Sequence, residues 1–97
     1  MNKKTLKTNT SAKELAATLG LSPLEAMEWQ IRHTITNKII ECSQNYTVTE
    51  IAKNAGTSRA RITKILKSDT FGISIDVLIR VLGAVGEEIK ISFKRAG

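Results

Sequence analysis

Residues 47–68, TVTEIAKNAGTSRARITKILKS, confine this chain to a narrow set of folds. Thr47 and Glu50 stand at capping-box spacing: the threonine oxygen accepts the N–H three residues on, and the glutamate reaches back to the threonine N–H. Ile51, Ala52 and Ala55 follow at helical spacing, and Ala52 is small enough to let a second helix cross closely. Gly56 falls where a tight turn needs a positive φ, which only glycine adopts without strain. Ser58 is the next N-cap. Ile62, Ile65 and Leu66 then form the buried stripe of a second helix, whose other faces carry Arg59, Ala60, Arg61, Thr63, Lys64 and Lys67. An ordinary αα-hairpin with a solvated basic face meets only some of these conditions. The full set is Ile-Ala, a glycine four residues after the alanine, and isoleucines six and nine residues past the glycine. That combination reads as a helix-turn-helix, and it points to DNA.

Charge sharpens the reading. The net charge of +6, from 15 Lys+Arg against 9 Asp+Glu, is unevenly placed. Lys3, Lys4 and Lys7 load the N-terminus, and Lys53, Arg59, Arg61, Lys64 and Lys67 fall in a stretch without a single acid. Elsewhere the signs mix or lean acidic. A solvated helix face usually mixes signs, whereas one that meets phosphates does not. The four aromatics, Trp29, Tyr46, Phe71 and Phe93, do not interleave with basic residues, which argues against a single-strand or RNA stacking platform.

Around the motif, residues 1–10 lack periodicity and read as a flexible basic arm. The remainder, 11–97, reads as one helix-turn-helix domain with a C-terminal dimerisation strand. Ser11 and Glu14 open a short helix over 12–19, with Leu15, Ala16 and Leu19 on its apolar side and Gly20 as its stop. Ser22-Pro23-Leu24-Glu25 is the clearest helix start, with an N-cap, proline first and glutamate third. Leu24, Met27, Ile31, Ile35, Ile39 and Cys42 then recur every three or four residues, as in one long amphipathic helix ending near Gln44-Asn45. After a loop at 68–72, Ser74 caps a helix over 75–84 with Ile75, Leu78, Ile79, Leu82 and Val85 on its buried side, closed by Gly86. Residues 88–93 alternate, with Ile89, Ile91 and Phe93 on one face and Lys90 and Ser92 on the other, the period of a strand. A lone strand cannot satisfy its own backbone, so this one is expected to pair with its copy in a second subunit. The fold class is therefore mainly α: a helix-turn-helix bundle with one short C-terminal β-strand.

Other chemistries find little support. Cys42 is alone, so no intrachain disulfide framework exists, and it reads as a buried free thiol. His33 is the single histidine, with no cluster of ligating residues beside it, so no metal and no cofactor are expected. No glycine loop cradles a phosphate, and Glu87-Glu88 has no partner base, so an enzyme is not expected. No apolar run approaches the ~18–20 residues that span a membrane, and no signal-peptide pattern opens the chain, so a cytoplasmic protein is expected.

Residues 48–66, the capped helix after them and the alternating C-terminus together resemble the Xre/lambda-repressor-like family, and within it the HigA-like antitoxin branch. The likeness runs from about residue 21 to 93 and is best in IAKNAGTSRARITKIL and FGISIDVLIRVLGAVGEEIKISF. The resemblance implies an operator-binding repressor, usually dimeric, often encoded beside a RelE/HigB-type ribonuclease toxin that it neutralises. Such proteins often place a glutamine at the first turn of the motif's first helix to hold a phosphate. This chain has Val48 there, which leaves Thr47 or Thr49 for that contact.

The residues thus divide into three expected sites. For DNA, Arg59 is assigned a guanine edge, Ala60 a thymine methyl, and Thr63 and Lys64 neighbouring base edges, with Arg61 and Lys67 on phosphates. Thr47, Thr49, Thr57 and Ser58 complete that set at the helix starts. For dimerisation, Ile89, Ile91 and Phe93 cover the last helix. For a partner protein, Leu15, Leu19, Leu24, Met27 and Trp29 lie in an N-terminal third that a minimal bundle does not need. Two alternatives remain: a module that mainly neutralises a toxin, and a stand-alone Xre-type regulator with no toxin.

Overall fold

The computed structural model describes Gly20 and residues 22–95. The arm expected at 1–10 and the helix expected at 12–19, with Leu15 and Leu19, lie outside the described residues, as does Leu21. Among the described residues, four α-helices follow in order: α1 Pro23–Cys42, α2 Val48–Ala55, α3 Arg59–Leu66 and α4 Ile75–Ala84, with a 3₁₀ turn at Ser43–Asn45. The chain divides into two compact units, Met1–Ile35 and Thr36–Gly97, whose boundary falls inside α1.

In the first unit, α1 starts as its sequence dictates. The Ser22 N–H donates to Glu25 Oε1 at 2.8 Å, and the Glu25 N–H donates to Ser22 Oγ at 3.1 Å. These two bonds satisfy donors that a helix start leaves orphaned. The Ser22 backbone N–H, followed by its hydroxyl, holds the Glu25 carboxyl below the usual carboxylate range. Leu24, Met27 and Ile31, on the apolar repeat of α1, are 74%, 59% and 43% exposed. The Trp29 and His33 rings, one turn apart, stack with centroids 4.8 Å apart and planes 10° from parallel.

The second unit holds an apolar core built around α2, which packs on both α3 and α4. Ile39, Ile51, Ile62, Ile65, Leu78 and Val81 are fully buried. Each contributes about 1.5–3 kcal/mol of transfer free energy. Ala52 and Ala55, both buried, are the small residues that let the helices approach. Thr36 is also buried, and its hydroxyl finds no hydrogen-bond partner among the described residues. A helical threonine commonly returns its hydroxyl to a carbonyl one turn back; this one does not.

Three of the helices close in one way. After α2, the Thr57 N–H reaches the Ala52 carbonyl at 3.0 Å and the Gly56 N–H reaches Lys53 at 3.3 Å. After α3, Asp69 reaches Lys64 and Ser68 reaches Ile65, each at 2.9 Å. After α4, Glu87 reaches Leu82 at 3.2 Å and Gly86 reaches Gly83 at 3.0 Å. This paired pattern requires a left-handed residue at the turn. Gly56 and Gly86 supply it at φ 70° and 86°, and Ser68 adopts it at φ 62° without being glycine.

The structure corrects three sequence expectations. On α4 the buried stripe is Val77, Leu78, Val81, Leu82 and Val85, while Ile75 is half-buried and Ile79 is 44% exposed. That helix is apolar around most of its circumference, so periodicity offers two adjacent stripes and packing on α2 selects one. On α3, Leu66 is half-buried beside the buried Ile62 and Ile65. Ser74 has the extended backbone of a cap, at φ −75° and ψ 158°, but makes no side-chain capping bond. Its hydroxyl serves the Asp76 carboxylate instead, the main cause holding that group below its usual range.

No strand is present among the described residues, and 87–95 carry neither helix nor ladder. A ladder needs two rows of backbone groups, and a single copy of this segment supplies one.

Candidate nucleic-acid interface

The turn between α2 and α3 sets the geometry of the site. Thr47 accepts the Glu50 N–H at 3.0 Å, and the Thr47 N–H donates to Glu50 Oε1 at 2.8 Å, so the expected capping box is complete. Gly56 swings the chain over in the left-handed region, at φ 70° and ψ 37°. Ser58 then accepts the Arg61 N–H at 3.1 Å and starts α3. Ile62 and Ile65 anchor one side of α3 in the core.

A helix turns about 100° per residue, so that anchoring fixes where the remaining side chains stand. Ala60, Thr63, Lys64 and Lys67 lie opposite the two isoleucines, and Arg59 and Arg61 lie on the two flanks. All six are exposed. Lys53 is exposed at the end of α2, and the nearby acid of α2, Glu50, has its carboxylate engaged in the capping box. The outward side of α3 is therefore a cationic surface free of carboxylates within the helix.

Local bonds refine what individual residues offer. The Thr63 hydroxyl donates to the Arg59 carbonyl at 3.1 Å, which leaves its lone pairs and methyl facing out. Thr63 thus presents an acceptor and an apolar contact, a restriction that sequence alone did not reveal. Thr47 has its backbone N–H occupied by Glu50 but keeps its hydroxyl proton. Thr49 and Ser58 are exposed, and Thr57 is half-buried within the turn. The ten expected DNA-binding residues fall on this one motif.

The other expected sites are placed in part. Ile89, Ile91 and Phe93 are 42%, 70% and 93% exposed. In the N-terminal unit Leu24, Met27 and Trp29 are exposed, Trp29 at 38%, and Leu15 and Leu19 lie outside the described residues. Exposed as well, and assigned to no site, are Ile31, Tyr46, Ile79, whose spacing predicts it on the buried side of α4, and Phe71, 92% exposed in the loop after α3. The turn-rich composition of 68–72 was the available signal for Phe71, since no core can form there. Among the described residues, no group of three His, Cys, Asp or Glu gathers to hold a metal, and no helix is long and apolar enough to cross a membrane. Cys42 is half-buried and free.

No curated protein and no solved structure matches the chain. A family model described as a helix-turn-helix domain matches residues 15–94. That match covers α1 to α4 and most of the C-terminal segment, so the chain belongs to the helix-turn-helix domain family.

Proposed function

We propose that the chain is a sequence-specific transcriptional repressor that reads duplex DNA with α3. The observation that carries this reading is the outward side of that helix: cationic, acid-free, and fixed by two buried isoleucines and a capped turn. Such a helix enters a major groove with its first residues toward the bases. Arg59 takes a guanine edge through two hydrogen bonds, and Ala60 meets a thymine methyl. Lys64 and the outward lone pairs of Thr63 take neighbouring edges. Arg61 and Lys67 hold phosphates, joined by Thr47, Thr49, Thr57 and Ser58 at the two helix starts.

Two copies act together in this reading. Segment 88–93 pairs with its two-fold mate as an antiparallel strand, with Ile89, Ile91 and Phe93 on the covered face. The operator is then an inverted repeat whose half-sites lie about one helical turn (~34 Å) apart, or a multiple of it.

A second activity belongs to the N-terminal unit, which offers a partner protein the exposed Leu24, Met27 and Trp29, with Leu15 and Leu19 added from the preceding residues. The partner is a RelE/HigB-type toxin, and the chain is the antitoxin that binds its own operator. The exposure of Leu24, Met27 and Trp29 supports this over a role in enlarging the core.

Selecting bound sites from random duplex DNA tests the reading in one experiment. The expected product is an inverted repeat. Recovery of no common sequence, with binding that follows charge alone, would remove the repressor role.

A further inference from the structure

The pairing of two copies has a register that charge and pattern decide, and the choice rests on reading 88–93 as the dimer strand. The segment runs Glu88, Ile89, Lys90, Ile91, Ser92, Phe93, Lys94. A two-fold antiparallel pair must be centred on one residue or between two. Centring between two residues sets each apolar side chain opposite a polar one and turns the faces against each other. Centring on Lys90 opposes Lys90 to its own copy. Centring on Ser92 opposes Lys90 to Lys94 twice. Both put like charges directly across the ladder, which destabilises it.

Centring on Ile89 opposes Ile91 to Glu87, and centring on Phe93 opposes Ile91 to Arg95, so each sets the middle apolar residue against a charge. Centring on Ile91 has none of these faults. Ile91 meets its own copy, Ile89 meets Phe93, Lys90 meets Ser92, and Glu88 meets Lys94, with each of the last three pairs occurring twice. Ile91 and Phe93, at 70% and 93% exposure, leave this face open in the single chain. We infer that the chain dimerises through residues 88–94 in the register centred on Ile91, and that two Glu88–Lys94 pairs lock that register against its neighbours. Glu87 is set apart from this device, because its carboxylate already lies 3.9 Å from Lys38 Nζ in its own chain.

The two-fold symmetry gives a sharp test. Glu88→Lys alone opposes Lys to Lys at both pairs, and Lys94→Glu alone opposes Glu to Glu at both. Mixing the two variants restores two opposite-charge pairs, in the heterodimer only. In sedimentation of the full chain at low salt, each variant alone is expected to dimerise about tenfold more weakly or worse, and the mixture to recover the dimer. The double variant E88K/K94E should recover it too, and molar salt should narrow the gap between single variants and parent chain. Single variants that dimerise like the parent, or a mixture that stays dissociated, would overturn the register. Ile91→Glu separates this from failure of the strand itself: it opposes two carboxylates at the centre while leaving the core untouched. If Ile91→Glu stays fully dimeric, or the parent chain is monomeric at the same concentration, strand pairing is wrong altogether. If Ile91→Glu dissociates and the charge exchange has no effect, the strand pairs in another register.

Discussion

Gly86 and Gly56 do the same conformational job in different surroundings. At Gly56 an added Cβ meets nothing within 4 Å, whereas at Gly86 it lands 2.9 Å from the Tyr46 hydroxyl. Gly56→Ala therefore costs only the left-handed strain, about 1 kcal/mol. Gly86→Ala also pushes aside the hydroxyl tip of Tyr46, an exposed side-chain end that can give way, and is expected to cost slightly more, about 1–2 kcal/mol. In a Tyr46→Phe background the clash is gone, and the two glycine substitutions should converge in urea unfolding. Equal costs in the parent chain would show that the tyrosine contact is immaterial. Thr36 makes the opposite case. Its hydroxyl is buried, at a desolvation cost, with no partner among the described residues. Replacement by isosteric valine removes that penalty, so Thr36→Val is expected to hold stability level or raise it by about 1 kcal/mol. A loss of more than that in the unfolding midpoint would mean the hydroxyl is satisfied after all.

Among the elements, the capped and punctuated ones were the most legible in the sequence. The starts of α1, α2 and α3 and the turn at Gly56 depend on bonds between residues three apart or on one left-handed angle, and such local physics can be read from spacing. What could not be read were choices made by packing. The buried stripe of α4 was settled by α2, which left Ile79 outside. In the first turns of α1, Leu24 and Met27 stand exposed on the apolar stripe; periodicity reports such a stripe and not what covers it. Ser74 carries the right residue type for a cap, but Asp76 competes for its hydroxyl. Lys67 caps the C-terminus of α3, far from the end proposed to read bases. Lys67→Ala should weaken binding to all duplexes alike and lower the slope of log affinity against log salt by about one. A change of preferred sequence in that variant would place Lys67 at a base edge.

For the molecule as a whole, the proposed function gives the second unit the reading of DNA and the first an apolar surface for a partner. Deleting residues 1–20 should then leave the melting of the helical core and the binding of operator nearly unchanged. It should also abolish capture of a RelE/HigB-type toxin, measured by co-purification. Undiminished capture would take Leu15 and Leu19 out of the partner site and leave Leu24, Met27 and Trp29 as its whole.

The central claim is that α3 reads base sequence, and it is tested most directly by the discrimination of two single variants. The affinities of Arg59→Ala and Lys64→Ala for the selected duplex are compared with their affinities for copies altered one base pair at a time. Both residues are exposed, so neither substitution should unfold the domain. Each variant is expected to lose about 1–3 kcal/mol of discrimination at one position in each half-site and to keep it elsewhere. If both variants discriminate at every position as the parent chain does, α3 is not the helix that reads the operator.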